Sequence, residues 1–192
     1  MAKARVYFTR EITPQAMDRL YDALGIRLSG KTAVKISTGE PGGHNFLQPA
    51  LIGPLTERLH GTIVECNTAY EGRRNTTQEH WKAIQENGFL DIAPCDIMDE
   101  TGELALPVTN GMHLQENFVG AHLRNYDSML VLSHFKGHMM GGFGGALKNI
   151  SIGIASAHGK AHIHGVGVPE ELWTAESASI HERRNAKLNE VR

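Results

Sequence analysis

The chain has 192 residues, enough for one domain with a real core, and 41% of it is hydrophobic with glycine left out, as in ordinary globular proteins. Its 19 basic and 21 acidic residues give a net charge of −2, and no basic run is present to track a phosphate backbone, which argues against a nucleic-acid partner. No apolar stretch is long enough to cross a membrane or to serve as a signal peptide, so a cytoplasmic protein without a membrane partner is expected.

The N-terminal "ARVYFT" (4–9) predicts a first strand. Thr13 and Pro14 then supply a helix start, and Met17, Leu20, Tyr21 and Leu24 follow at helical spacing until Gly25. "TAVKIS" (32–37) predicts a second strand. Leu47, Leu51, Leu55 and Leu59 recur every four residues, with Pro54 predicting a helix kinked or beginning there. "TIVEC" (62–66) reads as a third strand. "TTQEHWKAIQENG" is the plainest helix, with Thr76 and Glu79 as a capping box and Asn87-Gly88 as a stop. Residues 90–110 read as extended and turn-rich, with short strands at "DIAPCDI" and "ELALPV". A helix is expected over 117–124, a buried strand at "SMLVLS" (128–133), and a helix carrying Leu147, Ile150 and Ile154 out of a glycine-rich turn.

Strands alternating with helices predict an α/β fold: a mostly parallel sheet with helices on both faces, a three-layer sandwich spanning 1–168. Residues 169–192 form a charged tail, expected to be helical. In open α/β sheets ligands sit beyond the carboxyl ends of the strands. Loops 39–44, 67–74 and 134–145 follow predicted strands and carry most of the polar chemistry, which makes them the expected site.

"SHFKGHMMGGFGGALKN" (133–149) is the richest of these stretches. A helix beginning near Gly144 and Gly145 would turn free amides toward an anion, with Lys136 and Lys148 adding charge. A tight structural turn with solvated lysines is the simpler alternative. His134 and His138 are four apart, as in zinc-binding helices, and with His44 they are the candidate metal ligands. His158, His162 and His164 are further donors, but no convergence can be read from one sequence. Histidines hydrogen-bonded to backbone are the plainer account. "GEPGGHN" places Gly42 and Gly43 in a loop without the Walker spacing, so a simple turn serves equally well. "YEGRRN" offers Arg73 and Arg74 for bidentate contact with carboxylate or phosphate, or as exposed loop caps. No Ser-His-Asp order, paired carboxylates or Cys-His dyad can be defended. Cys66 and Cys95 are too few for a disulfide framework or for the thiolates of an iron–sulfur cluster, and read as small buried residues.

Taken together, "VKISTGEPGGHNFLQPALI", "ECNTAYEGRRNTTQEHW", "VLSHFKGHMMGGFGGALKNISIGIAS" and "GKAHIHG" resemble the domain-of-unknown-function 362 family over roughly residues 30–165. The resemblance implies an α/β domain of undefined activity, associated with iron–sulfur or ferredoxin-like proteins. Longer members carry a cysteine run for four-iron clusters. This chain lacks that run, so no cluster bound by this chain alone is expected, and it reads as a shortened or split member. His134, Lys136, His138, Gly144, Lys148 and Asn149 match the family's motif. The resulting expectation is a redox-associated domain binding a small anionic ligand, an unknown cofactor or a divalent metal. His134, Lys136 and His138 would be its catalytic candidates. Gly42, Gly43, Arg73, Arg74, Gly144, Gly145, Lys148 and Asn149 would contact the cofactor. The alternatives are a non-catalytic subunit acting with an iron–sulfur partner, or an inactive shortened member, and an open sheet edge would favour a homo-oligomer.

Overall fold

The computed structural model describes residues 3–138 and 142–165; the expected helical tail at 169–192 lies outside them. Four short strands, β1 (Thr32–Lys35), β2 (Thr62–Glu65), β3 (Cys95–Ile97) and β6 (Ser128–Val131), form one parallel sheet in the order β3-β2-β1-β6. Two antiparallel hairpins accompany it: β4 (Glu103–Pro107) with β5 (Glu116–Gly120), and β7 (Lys136–His138) with β8 (Gly142–Gly144).

The first helices form where their signals predict. α1 (Pro14–Leu24) starts as the Thr13 hydroxyl accepts from the Ala16 amide, and stops at Gly25 with φ 66°. α2 (Pro49–Arg58) keeps Pro54 inside it and begins five residues earlier, at Pro49. α3 (Thr77–Glu86) is capped by Thr76, whose hydroxyl accepts from the Glu79 amide. Strand alternation then sorts the core. Val34, Ile36, Ile63 and Ile97 pack with Ile52 of α2, Ile84 of α3 and Phe89. Ala33, Val64, Cys66 and Met98 face the other way, against Leu123, Tyr126, Met129 and Ile154.

Four expectations are corrected. Residues 4–9 form no strand; they run exposed along the surface, with Val6 84% and Phe8 82% accessible. Residues 117–124 are not a helix but the end of β5 followed by a 3₁₀ turn (Ala121–Asn125). Five-residue pairing with β4 satisfies the backbone there, and Phe118 packs on the rings of His158 and His162 from α5 (Ala157–His164). That approach requires Gly159, because a Cβ at this position would lie 2.0 Å from the Phe118 carbonyl oxygen. β6 is half-buried and not enclosed, since among the described residues it is the outer strand of the sheet. The glycine-rich stretch is a β7–β8 hairpin, and α4 (Ala146–Ile150) after it spans only five residues, with Leu147 74% exposed.

Candidate functional site

The carboxyl edge of the sheet is built around charge. Lys35 and Glu65 are the last residues of β1 and β2, and both are buried. A buried ammonium needs all three of its donors satisfied. Lys35 Nζ donates to Glu65 Oε1 at 3.0 Å, to Asn149 Oδ1 at 2.8 Å and to the Ile36 carbonyl at 2.5 Å. Glu65 Oε2 accepts from the Thr38 amide at 2.7 Å and from its hydroxyl at 3.3 Å, and lies 3.6 Å from Arg74 Nη1. Burial pushes the Glu65 carboxyl up, but Lys35, Arg74 and His80 outweigh it and hold the group at about 2.

His80 is fully enclosed, with Nδ1 3.0 Å from Asn67 Oδ1 and Nε2 3.3 Å from the Thr38 hydroxyl. Burial drives its pKa down to about 4 despite Glu65, so the ring is neutral near pH 7. Lys160 of α5 reaches the same layer, donating to the Asn67 and Ala155 carbonyls at 2.6 and 2.7 Å. Burial lowers that ammonium below its ordinary value against the pull of Cys66, Asp99 and Glu65.

The loops expected to form the site are tied together by this layer. Arg74, in the loop after β2, pairs with Glu40 in the loop after β1 and lies 3.3 Å from the Tyr70 hydroxyl. Asn149 of α4 joins the loop after β6 to the end of β1. Its Nδ2 lies within reach of the Lys35 carbonyl (3.3 Å), the Leu132 carbonyl (3.2 Å) and the Ser133 hydroxyl (2.9 Å). Arg73 is different: it is exposed and bound to Glu86 and Glu79 of α3. Gly42 and Gly43 lie in an exposed turn closed by the Gly43 amide on the Glu40 carbonyl, with exposed His44 next to them.

His134 and Lys136 lead into the β7–β8 hairpin; both are exposed, and their side chains hydrogen-bond to no described residue. His138 and Lys148 are half-buried and engaged. Lys136 and Lys148 flank Gly144: a Cβ there would lie 3.8 Å from Lys136 Cγ and 3.6 Å from Lys148 Cδ. α4 is too short for the helix-end anion site expected at Gly144 and Gly145, so any anion here depends on the lysines. Among the described residues no group of three or more His, Cys, Asp or Glu side chains is gathered as a metal would need, so His134, His138 and His44 belong to no such group.

Sequence reasoning missed Lys35, Glu65, His80 and Lys160. The first two carried a signal: a charged residue closing an otherwise apolar strand, in "TAVK" and "TIVE". Cys66 and Cys95 are unpaired, and burial raises each thiol to about 12, which leaves them inert. A cavity of about 520 Å³ lies elsewhere, among Tyr21, Asp22, Arg27, Leu28 and Arg58 near the segments entering β1 and β2, and holds no comparable cluster. Among the described residues no helix is long and apolar enough to cross a membrane.

Residues 32–191 match the family described as Domain of unknown function (DUF362). No curated protein and no solved structure matches the chain.

Proposed function

The chain belongs to the DUF362 family, and from that premise we propose that it binds a small anion, a phosphate or carboxylate group, beside Gly144 at the carboxyl edge of the sheet. The approach of the Lys136 and Lys148 side-chain stems to Gly144 carries this reading. Two ammonium-bearing chains, one exposed and without a hydrogen-bonded partner among the described residues, provide charge-assisted donors for an anion. A Cβ at Gly144 would stand in ordinary contact with both side chains, so the two come together over that position. Exposed His134 stands next to the same hairpin as the group able to move a proton at the bound ligand. The rigid layer beneath, from Lys35 to Arg74, supports the hairpin through Asn149.

The redox association and an iron–sulfur partner subunit enter this proposal through the family resemblance and through no side chain of this chain. The anion is placed before a metal because the described donors stop short of a ligand set. Titration with inorganic phosphate at low ionic strength, followed by calorimetry, tests the reading. Lys136→Ala and Lys148→Ala should each weaken binding by about tenfold, the loss of roughly one charge-assisted hydrogen bond. Equal affinity in wild type and both variants would overturn it.

A further inference from the structure

A second constellation lies on the β3 side of the sheet and shares no residue with the anion site. We propose that Thr101 is a nucleophile for acyl transfer, activated by His122, and that this place accepts small carboxylic esters or thioesters. Asp96 is the central residue of β3, Thr101 lies in the turn that follows, and His122 sits in the 3₁₀ turn after β5. The Thr101 hydroxyl is 2.7 Å from His122 Nε2, and His122 Nδ1 is 2.7 Å from Asp96 Oδ1. Tyr126 donates its hydroxyl to Asp96 Oδ2 at 2.7 Å.

The order of donors follows from the chemistry of the groups. An ionised carboxylate only accepts, so Nδ1 carries the imidazole proton and Nε2 is left as a base facing the hydroxyl. Both carboxylate oxygens are occupied, which fixes the plane of Asp96 and with it the ring. Burial, and then Asp96 itself, raise the Tyr126 phenol above its ordinary value and keep it a donor. The histidine and aspartate side chains are only 20% and 17% accessible, whereas Thr101 is exposed. The base is thus shielded and the nucleophile open. The Thr101 amide hydrogen-bonds to no described residue and lies next to the attacking oxygen, where it can donate to a developing oxyanion.

In the forward step Oγ1 bonds to the acyl carbon and its proton passes to Nε2. The bond to the leaving oxygen or sulfur then breaks with its electron pair, and Nε2–H returns the proton to that atom. Water repeats the sequence on the acyl-threonine, releasing the carboxylic acid and restoring the hydroxyl. Asp96 and Tyr126 are positioning residues. The relay is invisible in the sequence because its members occur in the order Asp, Thr, His, separated by turns and a hairpin.

The test uses the full chain with p-nitrophenyl acetate, reading the nitrophenolate burst and the acetylated peptide by mass spectrometry. One acetyl group on the peptide containing Thr101 is expected. Thr101→Ala and His122→Ala should slow acylation by roughly a hundredfold, the ordinary contribution of a positioned base, while Thr101→Ser keeps the burst. Asp96→Asn should slow acylation yet leave the final stoichiometry unchanged, a split that loss of folding would not give. Acetylation confined to lysines, or a rate unaltered in Thr101→Ala, would overturn the assignment.

Discussion

The two halves of the sheet's carboxyl edge handle charge in opposite ways. At the ends of β1 and β2, Lys35, Glu65 and His80 are sealed, and each finds partners inside the protein. Beside them, in and just before the β7–β8 hairpin, Lys136 and His134 face solvent, and Phe135 stacks on Phe143 at 5.5 Å while both rings stay exposed. Buried charge defines a geometry because every alternative leaves an ion uncompensated. Exposed charge stays available for something that arrives. The contrast separates a frame from a binding face, and neighbouring arginines repeat it in miniature: Arg74 is buried among Glu40, Glu65 and Tyr70, whereas Arg73 lies on the surface against Glu86.

The sharpest way to break this distinction is Lys35→Met. It leaves Glu65 buried with Arg74 as its remaining cation, and should destabilise the fold by about 3–5 kcal/mol in urea unfolding. A loss below about 1 kcal/mol would mean that the pair is not part of the frame. Acidification probes the same frame without mutation. His80 titrates near 4 when folded against 6.5 when free, so the unfolded chain binds the extra proton between those values. Stability is therefore full above pH 6.5 and falls as pH drops toward 4, by about 3 kcal/mol in all. Glu65, at about 2 against 4.5, continues the loss from 4.5 downward. In His80→Gln, denaturant midpoints should be flatter between pH 6.5 and 4; an unchanged slope would assign it to other groups.

The binding face should be far more forgiving. Phe143→Ser removes an exposed ring stack and should cost about 1 kcal/mol in the same urea assay, the usual value of such a pair. Smallest of all, Arg73→Ala should leave the unfolding midpoint where it is, because its ion pairs are open to water. A shift as large as that of Lys35→Met would erase the difference between the two arginines.

Much of the frame was legible. Thr13, Thr76 and Gly25 marked helix ends because capping is local chemistry, and alternation of strands with helices foretold the parallel sheet. The loops were correctly placed at strand ends, and Arg74 and Asn149 do join them. Where the reading failed, a tertiary partner decided. The segment "ARVYFT" has strand-forming residues but pairs with no neighbour among the described residues. Residues 117–124 became a strand because β4 and Gly159 of α5 receive it. Lys35 and His80 fall inside a strand and a helix that the sequence does predict, but only the three-dimensional layer shows that both side chains are enclosed.

The amide of Asn149 has a further implication for what can replace it. Its oxygen receives from an ammonium while its nitrogen faces three oxygen atoms, on Lys35, Leu132 and Ser133. Aspartate has the same outline but two receiving ends, and would turn a carboxylate oxygen toward all three. Leucine would match the bulk and offer neither polarity. The joint between sheet and hairpin is thus specified by the direction of a dipole, so size alone is no guide to which substitutions the position tolerates.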